Sequence, residues 1–148
     1  MTEPICANTL ASQYGTPLYL LDVASVVNAM TVLQNGLREQ YENAEVTYSV
    51  KTNSLKAILR KVLESGFRLE VVSTHELELA RSVGAGSKDL LFNGPVKSID
   101  ALKFCYRNEI QIHVDSIDEL KAASLIGSAA QPFPIGIRVA AQLSNGET

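Results

Sequence analysis

The sequence predicts an α/β fold of parallel strands, the N-terminal part of a (β/α)8 barrel. Three observations carry that prediction. Short apolar runs alternate with helical patterns at an even period of about 20–25 residues, the mark of a repeated strand–helix unit. Strands joined by helices of that length run parallel, with right-handed crossovers. No GxGxxG turn follows the first strand, so the even period favours a barrel over an open doubly wound sheet.

The elements follow in order. Residues 16–22 (Thr-Pro-Leu-Tyr-Leu-Leu-Asp) read as a lead-in strand, with Asp22 as the N-cap of a helix over 23–41. Val23, Val26, Val27, Met30, Leu33, Leu37 and Tyr41 recur there at helical spacing. A strand at 45–50 comes next, then a helix marked by Leu55, Ile58, Leu59, Val62 and Leu63 and stopped by Gly66. Strands are expected at 68–72, 89–92, 110–114 and 134–139. The helices between them are expected at 74–83, ended by Gly84, at 98–107, begun by Ser98, and at 116–126, where Ser116 and Glu119 have capping-box spacing. A complete barrel needs about 250 residues. Five barrel strands followed by the polar stretch from Gln142 to Thr148 therefore read as a lead-in segment (1–22) and a partial barrel (23–148), the first half of a larger protein. The outer strands at 45–50 and 134–139 would be bare parallel edges, prone to pairing with other chains.

Composition excludes several functions. With 46% hydrophobic and 20% charged residues, the 148-residue chain is an ordinary globular sequence long enough for a real core. A net charge of −3 argues against a nucleic-acid partner. No apolar run approaches the length that spans a bilayer, and the N-terminus lacks the basic start and apolar core of a signal peptide. Cys6 and Cys105 are far apart and fit no metal spacing, so both are expected to be reduced cytoplasmic thiols. No protein-only metal site is expected.

The stretch Val46-Thr47-Tyr48-Ser49-Val50-Lys51-Thr52-Asn53 is the most informative. A strand runs into a lysine, two turn-prone residues follow, and a helix begins. A lysine at the C-terminal lip of a strand is held rigidly and aimed at the cleft where such folds bind ligands. Either that lysine is a Schiff-base amine or it is a solvated loop charge. His75, in a helix-start turn, reads as a surface histidine. His113 reads as a strand residue facing the helical layer or solvent. Asn93-Gly94-Pro95 reads as a turn after the third strand, either lining the mouth of the site or serving as a turn alone.

Tyr48-Ser49-Val50-Lys51-Thr52-Asn53 resembles the Tyr-Ala-Val-Lys-Ala-Asn segment of the fold-type III pyridoxal-phosphate enzymes, among them diaminopimelate, ornithine and arginine decarboxylases and, more distantly, alanine racemase. The likeness continues in order through Gly15-Thr16-Pro17-Leu18-Tyr19, Gly66 to Ser73, Ser73-Thr74-His75-Glu76-Leu77, Phe92 to Lys97, Val114-Asp115-Ser116 with Glu119-Leu120, and Ile137-Arg138-Val139. Each motif is moderately specific; the ordered set, from about residue 14 to about residue 140, is strong.

The resemblance implies an alanine-racemase-like barrel (the TIM type) that binds pyridoxal 5'-phosphate. It implies that Lys51 holds the cofactor aldehyde as a Schiff base and that an amino acid, most of all diaminopimelate or a basic amino acid, is decarboxylated. Only the unprotonated amine attacks, which partial burial would favour. Arg138 matches an arginine that would hydrogen-bond the cofactor's phenolic oxygen. Glu70 stands where many relatives have an aspartate near the imine; it is either functional or a partly buried carboxylate paired with Arg68 or another base. Ser49 replaces an alanine usual in the relatives and is expected to turn away from Lys51, as strand neighbours alternate. Glu76 is expected to serve a helix cap more than catalysis.

The resemblance also implies a cytoplasmic homodimer when full length. It places the phosphate loop, the pyridine-nitrogen carboxylate, the ring-stacking histidine and the substrate-reading residues outside 1–148, so this stretch alone is expected to have little or no activity. An amino-acid racemase on the same barrel and a non-catalytic regulatory homologue are the alternatives.

Overall fold

Apolar residues at every second strand position turn to one side of a single sheet. The computed structural model describes residues 6–128 and 131–139. Its strands are β1 (Thr47–Ser49), β2 (Arg68–Val71), β3 (Leu90–Phe92), β4 (Gln111–Val114) and β5 (Ile135–Ile137). They lie side by side in chain order, each parallel to the next. The helices are α1 (Ala7–Tyr14), α2 (Val23–Arg38), α3 (Lys56–Glu64), α4 (Thr74–Ser82), α5 (Ile99–Arg107) and α6 (Ile117–Ile126). An order that never reverses is that of a (β/α)8 barrel, since doubly wound sheets reverse at a switch point. The predicted α/β class, about five parallel strands of a barrel, is what the chain forms, with β1 and β5 as edges among the described residues.

The core lies between the sheet and its helices. Leu69, Val71, Leu90, Phe92, Ile112 and Val114 meet Ile58, Leu59, Val62, Leu77, Leu102 and Cys105, all buried. Burial there pushes the Cys105 thiol up to about 11, against the pull of the Lys97 charge. Both cysteines are free, and Cys6 is exposed.

Three helices return to the sheet by one device. After α3, α4 and α5 a residue in the left-handed region closes the helix: Gly66 (φ 80°), Gly84 (φ 104°) and Glu109 (φ 54°). The next amide reaches back to the final turn, Phe67 to Val62, Ala85 to Ala80 and Ile110 to Cys105. This is the Schellman closure, where glycine is favoured because it has no Cβ to clash. The predicted stops at Gly66 and Gly84 are therefore real. Helix starts are equally regular. Asp22 accepts from the amides of Ala24 and Ser25, and Ser73, Ser98 and Ser116 each accept from the amide three residues on.

Three expectations are corrected. The lead-in strand at 16–22 has no regular structure, and Leu18, Tyr19, Leu20 and Leu21 are exposed with no strand beside them. A helix, α1, lies unforeseen before it; it buries none of its residues and has no side-chain cap, so it left no pattern in the sequence. The first barrel strand ends at Ser49, and Val50–Thr52 form a 3₁₀ turn that places Lys51 just beyond the strand. The predicted polar stretch from Gln142 to Thr148 lies outside the described residues. No described helix is long and apolar enough to cross a membrane.

Candidate active site at the C-terminal rim

The strand face away from the helices is polar. Alternation places Thr47, Arg68, Glu70, Leu91, Gln111 and His113 there, and they line an open groove of about 500 Å³ together with Glu45 and Asn93. In a closed barrel this face is the interior. Its lower tier is an ion-pair network. Arg68 bonds Glu45 at 3.0 Å, the Leu90 carbonyl at 2.8 Å and the Gln111 amide oxygen at 3.1 Å.

Glu70 sits one tier higher, opposite Ser49 on β1 and Leu91 on β3. It is buried at 9% exposure, so it needs a partner. That partner is Asn93, whose amide donates to Glu70 Oε1 at 3.1 Å, and not Arg68, which is committed to the tier below. Ser49 shares this inner wall. One residue, Val50, separates it from Lys51, so alternation, which acts between adjacent residues, does not turn it away from the lysine as expected. Its hydroxyl and the Asn93 Oδ1 are both buried without a hydrogen-bond partner among the described residues.

The rim above is built from residues at or just past the strand ends. Lys51 follows β1, Asn93 follows β3, Asp115 follows β4 and Arg138 follows β5. Parallel strands bring all four to one end of the sheet. Lys51 is exposed, which corrects the expected partial burial; the 3₁₀ turn lifts it clear of the buried Val50. Tyr48 steadies the turn, its hydroxyl donating to the Asn53 carbonyl at 3.1 Å. Arg138 pairs with Asp115 at 3.0 Å while its own amide donates to the Val114 carbonyl, so the residue is tied beside β4 at two points, one through its guanidinium and one through its backbone.

The Asn93–Gly94 turn packs tightly against β2. A Cβ on Gly94 would overlap the Val72 carbonyl, a backbone group that cannot swing aside, and would crowd the buried Phe92 ring. Gly94→Ala is therefore expected to cost roughly 1–3 kcal/mol, as overpacking does. The thermal midpoint of the intact protein reads this, and an unchanged midpoint would show that the turn relaxes freely.

His113 is on the inner wall, not facing the helical layer or solvent as the sequence reading had it. Ile112 and Val114 take the helix side, so the residue between them faces the groove. The Gly136 backbone lies directly beneath its ring, where any Cβ would collide with the imidazole. Burial first, then the positive charges of Lys97, Arg138 and Arg68, hold its pKa below the ordinary value against the opposing pull of Glu70. His75 is exposed on α4, as expected. Glu76 accepts from the Val72 amide at 2.9 Å, a capping duty that accounts for it.

Sequence reasoning gave Asp115 and Lys97 no role, took Glu119 only as a capping-box residue, and took Asn93 as part of a turn with lining of the cofactor mouth as the alternative. A signal existed for two of them. Asn93 continues the inner parity of Leu91, and Asp115 that of His113.

Residues 24–148 match the family described as pyridoxal-dependent decarboxylase, pyridoxal binding domain. The chain is 32% identical over 126 residues to a diaminopimelate decarboxylase of Actinosynnema pretiosum, covering 84% of this chain and 28% of that protein. It is 30% identical over 130 residues to that of Methanothermobacter thermautotrophicus, covering 88% and 29%. It thus spans under a third of the length of these relatives. The solved diaminopimelate decarboxylase of M. jannaschii, in complex with L-lysine, superposes with a TM-score of 0.68 at 29% identity, over 81% of this chain and 29% of that one. A lysine decarboxylase from Selenomonas ruminantium shares the fold, with a TM-score of 0.70 at 22% identity over 90% and 33%. A match across most of the chain, on a fold with the same strand–helix order, makes this chain a member of the pyridoxal-dependent decarboxylase family, carrying sequence of its pyridoxal-binding domain.

Proposed function

We propose that this chain is the cofactor-holding portion of a cytoplasmic, homodimeric amino-acid decarboxylase that uses pyridoxal 5'-phosphate, with diaminopimelate or a related basic amino acid as substrate. One observation carries the reading: Lys51, Asn93, Asp115 and Arg138 all leave their strands at the same rim. Their chemistry fits that cofactor. A primary amine for an aldehyde, a guanidinium for a phenolate and two buried oxygens awaiting partners make a polar mouth.

When bound, the cofactor supplies an electrophilic aldehyde and a ring that accepts the electron pair left as a Cα–carboxylate bond breaks. Lys51 supplies the amine from a short turn anchored by Val50 and Tyr48, so its position is set by the strand and not by a loose loop. Arg138 offers a fixed positive charge, oriented by Asp115. Glu70 and Asn93 form the polar floor beneath, where the carboxylate is already committed to an amide donor. Ser49 adds one free hydroxyl beside Glu70. Substrate choice is carried by the names of the relatives and not by any residue of this rim.

The test is covalent trapping. Borohydride reduction of the intact protein with pyridoxal 5'-phosphate, followed by peptide mapping, is expected to place the pyridoxyl group on Lys51. Label on another lysine, or none, overturns the reading. Carbon dioxide release across a panel of amino acids, scored against loss of optical activity, separates decarboxylation from racemisation.

A further inference from the structure

The molecule holds one fully buried cation among its described residues that the proposed function does not use. Lys97 lies just after the Asn93–Gly94 turn, its side chain 0% exposed, paired with Glu119 at 3.0 Å. Resting on the reading above, we propose that Lys97 and Glu119 are positioning residues for the cofactor rim. They fix the β3 exit and the β4 exit as one piece, and through Asp115 they set the guanidinium of Arg138.

The connections are short and directional. Lys97 Nζ donates to the Gly94 carbonyl at 2.8 Å and to Glu119 Oε2 at 3.0 Å. Glu119 also accepts from the Lys97 amide at 2.9 Å and from the Asp115 amide at 3.0 Å. Asp115, with its backbone so held, meets Arg138 at 3.0 Å. Three strand exits thus form one hydrogen-bonded chain, from Gly94 to Arg138. Gly94 in turn packs on the carbonyl of Val72, the residue that follows β2.

A second helix start in the same molecule serves as a control. α4 begins with Ser73 and Glu76 as α6 begins with Ser116 and Glu119, the serine accepting from the glutamate amide in both. Among the described residues Glu76 then accepts only from the Val72 amide and pairs with no cation. A helix start of this kind does not require a lysine. Nor does stability call for one, since replacing a buried ion pair by apolar residues is often neutral or favourable. What Lys97 adds is the bridge from the β4–α6 cap to the β3 turn, at the level where Asn93 and Arg138 face the mouth.

The test is a double-mutant cycle on the intact holoprotein, read by pyridoxal 5'-phosphate titration near 420 nm. Lys97→Met and Arg138→Met are each expected to weaken cofactor binding on the order of tenfold, the scale on which outer partners tune a site. The double variant should bind no worse than Arg138→Met alone, because one acts through the other. Lys97→Arg, which keeps the charge, should restore part of the affinity. If Lys97→Met does not fold, Asp115→Asn cuts the same chain at its half-exposed end and should give the same coupling to Arg138. Wild-type affinity in the folded variants, or losses that multiply in the double variant, overturns the positioning role. That failure is distinct from failure of the functional reading, in which the wild-type protein itself gives no label at Lys51.

Discussion

Replacing Lys51 by alanine is expected to leave the fold intact and to abolish both borohydride-trapped pyridoxyl label and turnover in the full-length protein. The two halves of this prediction have different physical origins. The Lys51 side chain is exposed, and among the described residues it makes no ion pair or side-chain hydrogen bond. Removing such a group usually changes stability by no more than about 0.5 kcal/mol. The turn that carries it is held by the buried Val50 and by the Tyr48 hydroxyl, neither of which the substitution touches. The covalent role, by contrast, has no understudy. Lys97 is the other described lysine near the rim, and its amine is buried against Glu119 and Gly94. Label should fall from stoichiometric to background while the circular dichroism spectrum and melting midpoint stay at wild-type values. A small primary amine added to Lys51→Ala should restore some turnover. Persistent label at another site would move the chemistry away from this turn; unfolding of Lys51→Ala would show that the lysine has a structural duty that the geometry does not reveal.

Much of the fold was legible because the repeat enforces its own grammar. Four of the six described helices start on a serine or aspartate cap, and two of the helix ends carry Gly66 and Gly84 where the backbone turns left-handed. The apolar parity of Leu90 and Phe92, or of Ile110, Ile112 and Val114, states which face meets the helices. What escaped lacked such marks. α1 buries nothing, so no periodicity constrained it. Residues 16–22 have a strand's composition, but strand structure needs a neighbouring strand, and none is present there. Glu109 takes the left-handed position that glycine fills elsewhere, so the third closure was invisible as a glycine signal.

The site was legible residue by residue but not as a set of contacts. Lys51 and Arg138 were readable from their places after strands, and the structure puts both at one rim. Partnerships were not readable. Arg68 and Glu70 are two apart on one face and look like a pair, yet register sends Arg68 to Glu45 and Gln111 and leaves Glu70 to Asn93. His113 was misplaced although its parity with Gln111 was available. Its seat depends on Gly136, a residue on the next strand, and no local pattern links the two.

Glu119→Ala is expected to be among the most destabilising single substitutions in this chain, by about 3–5 kcal/mol, the scale on which breaking a buried ion pair acts. Its carboxylate receives three donors: the Lys97 ammonium, the Lys97 amide and the Asp115 amide. Alanine would strand a fully buried ammonium with only the Gly94 carbonyl and the face of the Phe92 ring, 5.6 Å away, left to it among the described residues. Two amides would also lose their acceptor, and unsatisfied buried donors are costly on their own account. Glu76→Ala is the matched comparison. It removes the equivalent carboxylate from α4, where one amide and no cation depend on it, and should cost only about 1 kcal/mol, the scale of a lost capping contact. Adding Lys97→Met to Glu119→Ala removes the stranded charge, so the double variant should recover stability relative to Glu119→Ala alone while still lacking the two amide bonds. Chemical denaturation of the intact protein, following the barrel transition, measures all three. Equal losses from Glu119→Ala and Glu76→Ala would mean that the buried charge is not held as the geometry shows. A double variant less stable than Glu119→Ala would mean that Lys97 stabilises this corner through its stem and not through its ammonium.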